Sequence, residues 1–312
     1  MPAMRQSTQE GLRFESASPP ATDNALAVTR FDAPFGAEVI NVDASHILDA
    51  TTVAALKHAI NQNLVIVLRD QRLSPDDLVR FTTSFGEVSE SVPNAFLHTQ
   101  NPAVMIVSNI LDEHGRNIGL ADAGPYWHTD GLYYQEPHAY TLLYALEVPV
   151  LNERPLGDTQ FVSTADAYDA LPETMKAGLQ GLKGIHNLSK RYAGNRMHNS
   201  TRKELTAEQR ARNPDRIHPV IRTHPNTGRK CIYVDETYTT GICGMPDDKA
   251  RGILNRLLDH CTQPQFYYRH QWRAGDLLVW DNCATQHKST FDYTLPQRRL
   301  LYRTTVKGGV PF

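Results

Sequence analysis

The sequence predicts a mainly β protein with flanking helices, folded as a double-stranded β-helix, the cupin-like jelly-roll barrel. Short apolar strands separated by turn signals dominate the chain from residue 103 onward. A chain of 312 residues can bury a large core, and no shift in composition divides it. We therefore expect one domain over residues 25–312, preceded by a flexible leader over residues 1–24 that lacks an apolar signal-peptide core.

The first part of the domain supplies flanking helices. After strand material in "LAVTRFDAPFGAEVINVD", the stretch "DATTVAALKHAINQN" predicts a helix because Val53, Leu56 and Ile60 share one face. The apolar run "LVIVLRD" predicts a buried strand. "SPDDLVRFTTSFG" then predicts a second helix, with Ser74 as N-cap and Asp77 at the capping-box position.

Strands follow in quick succession after residue 102. The predicted strands are "AVMIVSN", "AYTLLYALEVP", "DTQFVS", "IHPVIRTH", "KCIYVDE", "QFYYRH", "DLLVWDN" and "RLLYRTTV". Two helices interrupt them, in "ADAYDALPETMKAGLQGL" and "DDKARGILNRLLDHC". The polar segment 189–216 predicts an excursion from the barrel that could serve as a lid.

Charge and cysteine content narrow the classes of function. The net charge is −2 and no basic run occurs, which argues against nucleic acids and anionic membranes as partners. No apolar run approaches the length of a transmembrane helix. The cysteines lack CxxC spacing, which predicts reduced thiols in a cytoplasmic protein: Cys231, Cys243, Cys261 and Cys283.

The sequence "WHTD" predicts part of a metal site. On a strand or strand end, His128 and Asp130 would project from the same face because side chains alternate. One imidazole and one carboxylate form two-thirds of the facial triad of non-haem Fe(II) oxygenases. His287, beyond the apolar strand "DLLVW", is the candidate for the third ligand.

The last strand indicates an anion-binding site beside the metal. Arg299, Leu301 and Arg303 share one face of that strand, and an inward arginine is costly to bury unless it meets an anion. A dicarboxylate that chelates the metal would supply one, since guanidinium and carboxylate form bidentate pairs. "GDTQF" adds the hydroxyl group of Thr159.

The combined motifs resemble the Fe(II)/2-oxoglutarate-dependent taurine/2,4-D dioxygenases, the TauD/TfdA family. The likeness runs from about residue 28 to the end, through "WHTD", "GDT", "HPVIRTHPNTGRKCIYV", "WDNCATQH" and "PQRRLLYRTTVKG". It implies Fe(II), 2-oxoglutarate and O₂, with release of succinate and CO₂ and hydroxylation of a C–H bond. It implies His128, Asp130 and His287 as iron ligands, and Thr159 with Arg299 as the site for the distal carboxylate of 2-oxoglutarate. Because family halogenases lack the carboxylate ligand, Asp130 favours hydroxylation.

The resemblance weakens where the taurine enzyme recognises its substrate. Its sulfonate-binding His falls on Ser91, its Tyr falls near Asn94, and its amine-binding pair falls on Ala123 and Gly124. The sequence therefore argues against taurine as the substrate.

What remains predicts a small anion with an apolar or aromatic body, such as a carboxylate, sulfate or sulfonate. Arg303 matches a family position that binds an anionic group, Tyr238 matches a pocket aromatic, and the backbone N–H of Gly131 is available. Further candidates for substrate binding are Asn94, His98, Phe96, Tyr133 and Tyr134. Members of the family often associate, and no feature of the sequence decides between a monomer and a homo-oligomer.

Two other functions stay open at this point. A zinc hydrolase could use the same two histidines and carboxylate, but it would not need Arg299 facing the metal. A non-catalytic jelly-roll sensor could keep the pocket without turnover, but it would not need open coordination positions. We assign Trp127, Trp280 and Asn282 to packing and support of the site, and Arg298 to a structural role.

Overall fold

The computed structural model describes residues 26–89, 96–192 and 205–312. Its strands are β1 (Ala27–Arg30), β2 (Ala37–Ile40), β3 (Val65–Leu68), β4 (Met105–Ser108), β5 (His138–Glu147), β6 (Val150–Leu151), β7 (Arg154–Pro155), β8 (Thr159–Ser163), β9 (Lys183–His186), β10 (Arg216–Pro219), β11 (Ile221–Thr223), β12 (Lys230–Ile232), β13 (Thr239–Ile242), β14 (Tyr267–His270), β15 (Leu277–Asp281), β16 (Thr285–Ser289) and β17 (Leu300–Lys307). Its α-helices are α1 (Ala50–Asn63), α2 (Pro75–Thr83), α3 (Thr164–Asp169), α4 (Glu173–Leu179), α5 (Ser189–Tyr192), α6 (Ala207–Arg212) and α7 (Asp247–Cys261).

Two facing sheets form the barrel, which confirms the predicted fold class. The larger sheet has the order β1-β2-β3-β15-β5-β17-β4, and the smaller one has the order β14-β8-β16. Phe161 of β8 meets Trp280 of β15 edge-on, with ring centroids 5.6 Å apart, inside the core that both sheets share. The shared core carries the side chains that could form a site between the sheets.

Helices cover the outer faces of both sheets. Leu56 and Ile60 of α1 and Leu78 and Phe81 of α2 are buried against the larger sheet, whereas Val53 is only partly buried. On the other side, α7 packs against β13 and α3, and its Leu257 belongs to a core that also contains Val162 of β8 in the smaller sheet. Burial of these apolar faces supplies most of the driving force for the layered arrangement.

The helix signals of the sequence correspond closely to observed caps. The hydroxyl of Ser74 accepts from the backbone N–H of Asp77, and the carboxylate of Asp77 accepts from the backbone N–H of Ser74. The prediction of this capping box is confirmed, as is the helix in "DDKARGILNRLLDHC", which coincides with α7.

Three predictions of local structure need correction. The expected helix over 165–182 is two helices, because Pro172 lacks the N–H needed to continue the backbone ladder. Strands β9, β13 and β16 were not predicted, since "KGIH", "TTGI" and "TQHKS" contain glycine or polar residues in place of apolar runs. His128 lies in a single β-bridge rather than in a regular strand.

Three further predictions concern the N-terminal leader, the cysteines and membrane-spanning helices. The leader over residues 1–24 lies outside the described residues. All four cysteines are free thiols. None of the helices within the described ranges is both long and apolar enough to cross a bilayer.

Candidate active site

The three predicted metal ligands converge between the sheets. His128 and His287 are partners in an antiparallel bridge, with backbone N···O distances of 3.1 and 2.9 Å and ring centroids 4.1 Å apart. The carboxylate of Asp130 lies 3.7 Å from Nε2 of His128 and 3.9 Å from Nε2 of His287. All three residues are buried, and their ligand atoms lie within 4.8 Å of one another. A single ion could therefore contact all three.

The protonation states of these groups suit a divalent metal. Nδ1 of His128 donates to the carbonyl of Tyr126 at 2.8 Å, which leaves the lone pair of Nε2 available. Burial lowers the pKa of His128 and His287, so both imidazoles are neutral at pH 7. Burial opposes the charge of Asp130, but the adjacent Arg303 guanidinium holds its pKa well below the usual range. The set is two neutral nitrogens and one carboxylate.

A chain of hydrogen bonds orients Asp130. Nε1 of Trp280 donates to Oδ1 of Asn282 at 3.0 Å, and Nδ2 of Asn282 donates to Oγ1 of Thr141 at 2.9 Å. The Thr141 hydroxyl donates in turn to Oδ2 of Asp130 at 2.7 Å. Such supporting contacts fix the direction of a metal-binding carboxylate. The sequence identified Trp280 and Asn282 as support but not Thr141, although a threonine within the apolar run of β5 was a usable signal.

Asp235 ties the metal-binding loop to the substrate side of the cavity. Its carboxylate accepts from the backbone N–H groups of Thr129 at 3.2 Å, Tyr238 at 2.6 Å and Thr239 at 3.1 Å. Burial raises the pKa of Asp235 to about 6. Sequence analysis assigned Asp235 no role in the site, because its link to Thr129, 106 positions away, leaves no local signal.

A cavity of about 570 Å³ contains the metal-binding group together with Thr159 and Arg299. Arg299 is only 3% exposed, and Nη2 donates to the carbonyl of Gly157 at 3.3 Å. Within the described part of the chain, no carboxylate lies within 4 Å of this guanidinium. The hydroxyl of Thr159 accepts from Nε1 of Trp272 at 3.0 Å and can still donate its own proton. A buried cation with no carboxylate partner in the described ranges fits the distal carboxylate of 2-oxoglutarate.

Two of the predicted substrate residues also line the cavity. Nη2 of Arg303 lies 2.8 Å from Oδ1 of Asp130, so this arginine faces the metal-binding group directly. The ring of Tyr238 stands 6.3 Å from that of His128 and 4.8 Å from that of Tyr133. Phe96 and Tyr133 line the cavity as well.

Other predicted substrate residues lie elsewhere. The His98 ring packs against Tyr302, with centroids 5.2 Å apart, and it does not line the cavity. Gly131 lies in a turn with φ of 75°, where a Cβ would come within 2.8 Å of His138, and it does not line the cavity either. Tyr134 turns its carbonyl to His218 at 2.9 Å. Asn94 and Ser91 fall outside the described residues.

The described parts of segment 189–216, with Leu188 before it, line the cavity. The sequence predicted a lid over this segment but named none of its residues as part of the site. The residues involved are Leu188, Arg191, Tyr192, Leu205, Thr206 and Gln209. The barrel strands add apolar side chains to the cavity lining, including those of Met105, Val107 and Leu143. The cavity is thus apolar over much of its surface, with its charges on a few placed side chains.

A jelly-roll barrel with two neutral histidines, one carboxylate and a buried arginine in one cavity defines the class of non-haem iron oxygenases that use a 2-oxo acid. Residues 25–305 match the family described as "Taurine catabolism dioxygenase TauD, TfdA family". The chain belongs to this family. It is a 2-oxoglutarate-dependent dioxygenase that uses Fe(II) and O₂ and acts on a small molecule, rather than a zinc hydrolase or a sensor.

Similar proteins include characterised members of the family. The alpha-ketoglutarate-dependent 2,4-dichlorophenoxyacetate dioxygenase of Cupriavidus pinatubonensis is 31% identical over 280 residues, which cover 87% of this chain and 94% of that protein. The crystal structure of a taurine dioxygenase from Burkholderia xenovorans has a TM-score of 0.75 at 30% identity and covers 92% and 91% of the two chains. The structure of AAD-2 in complex with Mn(II) and N-oxalylglycine has a TM-score of 0.77 at 26% identity, with 92% and 99% covered.

Proposed function

We propose that this enzyme hydroxylates a C–H bond of a small organic anion with an apolar body and releases succinate and CO₂. One observation carries the proposal: a single cavity of about 570 Å³ contains the metal-binding group, apolar walls and a buried arginine that has no carboxylate partner among the described residues. This volume suits a small molecule together with the co-substrate.

His128, Asp130 and His287 would hold the iron, and Arg299 with Thr159 would hold the distal carboxylate of 2-oxoglutarate. Iron and the 2-oxo acid together supply the activation of O₂ and the oxidising power for attack on the C–H bond. The chain itself keeps both imidazoles neutral, keeps Asp130 ionised and fixes that carboxylate through Thr141. The presence of Asp130 supports hydroxylation rather than halogenation.

Arg303 and Tyr238 are the residues we assign to the prime substrate, with Tyr133 and Phe96 beside them. A guanidinium favours a carboxylate, sulfate or sulfonate, and the apolar walls favour an aliphatic or aromatic body. Ala123 and Gly124 line the cavity at the positions where the taurine enzyme has its amine-binding pair, and neither has a polar side chain. We therefore do not expect taurine to be turned over.

The test is succinate formation by the full chain with Fe(II), 2-oxoglutarate and O₂. The panel contains aryloxyacetates, alkyl sulfates, alkyl sulfonates and taurine, each beside a neutral counterpart of the same shape. We expect substrate-dependent succinate with apolar anions. Coupled turnover of neutral or cationic compounds alone would contradict the proposed substrate class. We also propose that the protein acts in the cytoplasm, which suits its four free cysteines.

A further inference from the structure

Trp272 is hydrogen-bonded to the hydroxyl group that we assign to the co-substrate. Its Nε1 donates to Oγ1 of Thr159 at 3.0 Å, and the two residues are only 1% and 2% exposed. An indole N–H can only donate, so the oxygen of Thr159 accepts and the proton of the hydroxyl group is left for another acceptor. No acceptor for that proton occurs among the described residues.

The backbone of Thr159 is held from both sides. Thr159 begins β8, the middle strand of the smaller sheet, where it pairs with His270 of β14 and Ser289 of β16. Rotation about χ1 is therefore the main freedom that its side chain retains. The hydrogen bond from Trp272 restricts this rotation, so the direction of the hydroxyl group depends on the indole.

Trp272 is itself held by the turn between β14 and β15. Its ring stands perpendicular to that of His270, with centroids 4.6 Å apart. The carboxylate of Asp276 is buried, and Oδ2 accepts from Nε2 of His270 at 3.1 Å and from the backbone N–H of Arg273 at 2.8 Å. One carboxylate thus binds residues on either side of Trp272, and the turn sets the position of the indole.

The loop before β8 brings the hydroxyl group close to the anchor arginine. Gly157 lies two residues before Thr159, and its carbonyl accepts from Nη2 of Arg299 at 3.3 Å. Thr159 and Arg299 both line the cavity, whereas Trp272 lies behind them. A carboxylate accepts several hydrogen bonds, so a hydroxyl proton beside the guanidinium would supply one that a 2-oxo acid without a distal carboxylate cannot use.

We propose that Trp272 is a positioning residue for the co-substrate, because its N–H occupies the oxygen of Thr159 and directs the hydroxyl proton toward the distal carboxylate of 2-oxoglutarate. This inference rests on the proposed function, in which Thr159 and Arg299 hold that carboxylate. Trp272 does not touch the co-substrate and acts only through Thr159. It therefore favours a 2-oxo diacid over a 2-oxo monoacid, whereas a tryptophan that only filled the core would affect both equally.

The experiment compares 2-oxoglutarate with 2-oxopentanoate, which has the same 2-oxo acid end and the same chain length but no distal carboxylate. Kd is measured by calorimetry with Fe(II) and without O₂, so no prime substrate is needed. We expect Trp272→Phe to raise the Kd of 2-oxoglutarate about 3- to 10-fold, because the hydroxyl group is no longer oriented. The Kd of 2-oxopentanoate should stay unchanged.

A double variant shows whether Trp272 acts through Thr159. Thr159→Val removes the hydroxyl group, keeps the branched shape of the side chain and should raise the Kd of 2-oxoglutarate about 10-fold. When Trp272→Phe is added, the Kd should stay within about twofold of that of Thr159→Val alone, because the indole then has no hydroxyl group to orient.

Tyr268→Phe is the control on the strand that precedes Trp272. It removes a buried hydrogen bond to Nδ1 of His270 at 3.1 Å, away from the cavity, and it should leave both Kd values unchanged. Should Trp272→Phe fail to fold, Trp272→benzothienylalanine takes its place, since that side chain keeps the bicyclic shape and has sulfur instead of the N–H.

The outcomes separate the role of Trp272 from the proposed function. If Thr159→Val loses affinity for 2-oxoglutarate and the folded Trp272 variant does not, the role of Trp272 is overturned while the anchor stands. Equal losses for the two co-substrates overturn that role as well, and so does a double variant in which the two losses multiply. If Thr159→Val binds 2-oxoglutarate like the parent enzyme, the anchor assigned in the proposed function is wrong, and the role of Trp272 falls with it.

Discussion

The described residues contain two buried clusters of potential metal ligands, and only one of them is suited to a metal. In both His128–Asp130–His287 and His224–Asp281–Cys283, the candidate ligand atoms lie within 4.8 Å of one another. In the second cluster, however, Nε2 of His224 donates to Oδ2 of Asp281 at 2.7 Å, and Nδ1 accepts from the backbone N–H groups of residues 226 and 227. Both nitrogens are already used.

The third member of that cluster is equally unsuitable. Burial, followed by the charge of Asp281, raises the pKa of Cys283, so the group is a thiol rather than the thiolate that metals bind. The other oxygen of Asp281 accepts from the backbone N–H of Cys283 at 2.7 Å. The cluster therefore joins the end of β15 to the turn after β11 as a closed set of hydrogen bonds. Proximity of ligand types is not enough, because a metal site also needs available lone pairs and an opening to a cavity.

We call His128–Asp130–His287 the open cluster and His224–Asp281–Cys283 the closed cluster. Loss of a ligand from the open cluster should have the largest effect on activity. His287→Ala should lower activity more than about 1000-fold and abolish stoichiometric iron binding, because two ligands cannot complete the facial set. Iron content by mass spectrometry and succinate formation measure both effects. His58→Ala, an exposed histidine on α1, is the control. Full iron content in the His287 variant would contradict the ligand assignment.

Replacement of Arg299, the proposed anchor of 2-oxoglutarate, should have the second-largest effect on activity. Arg299→Ala should raise the apparent KM for 2-oxoglutarate by about 100-fold, because the distal carboxylate would lose its charged partner. Arg298→Ala is a matched control, since this neighbour is exposed and pairs with Glu147. If both variants titrate like the parent enzyme, the assignment of the anchor is wrong.

The closed cluster should respond in stability rather than in activity. His224→Ala should lower the free energy of unfolding by about 2–4 kcal/mol, because Oδ2 of the buried Asp281 would lose its hydrogen-bond partner. Denaturant unfolding measures this loss, and iron content should remain one per chain. A second bound metal in the parent that disappears in the variant would show that the closed cluster is a metal site after all.

Loss of the hydrogen bond that supports Asp130 in the open cluster should have the smallest effect on iron binding. Thr141→Val keeps the β-branched shape but removes the hydrogen bond to Asp130, and it should weaken iron binding about 10-fold. Thr305→Val is the control on the paired strand, where Thr305 lies opposite Thr141. Equal iron affinity in both variants would remove Thr141 from the site.

Local patterns account for what the sequence could predict. The capping box at Ser74 and Asp77, the apolar face of α1 and the long strand β5 all depend on neighbours in the sequence. The motif "HTD" and its distant partner His287 were recognisable because spacing and strand context restrict them. The resemblance to a family then added the identity of the metal and the co-substrate.

The features of the fold and the site that the sequence did not predict depend on contacts between distant segments. Arg191 meets Asp122 across 69 positions, and Asp235 meets Thr129 across 106. Strand β16 has a polar sequence, yet its first three residues are buried because β8 and the cavity surround them. Neither composition nor periodicity records such partners.

The bridge between His128 and His287 makes the geometry of the two imidazoles a property of the main chain. Because successive residues of a strand point to opposite faces, a one-residue insertion in β16 between Thr285 and His287 would turn the second imidazole away. The segment that carries Leu188 and Arg191 has no part in this pairing. Substitutions in this segment can therefore alter one side of the cavity while the main-chain pairing of His128 with His287 stays in place.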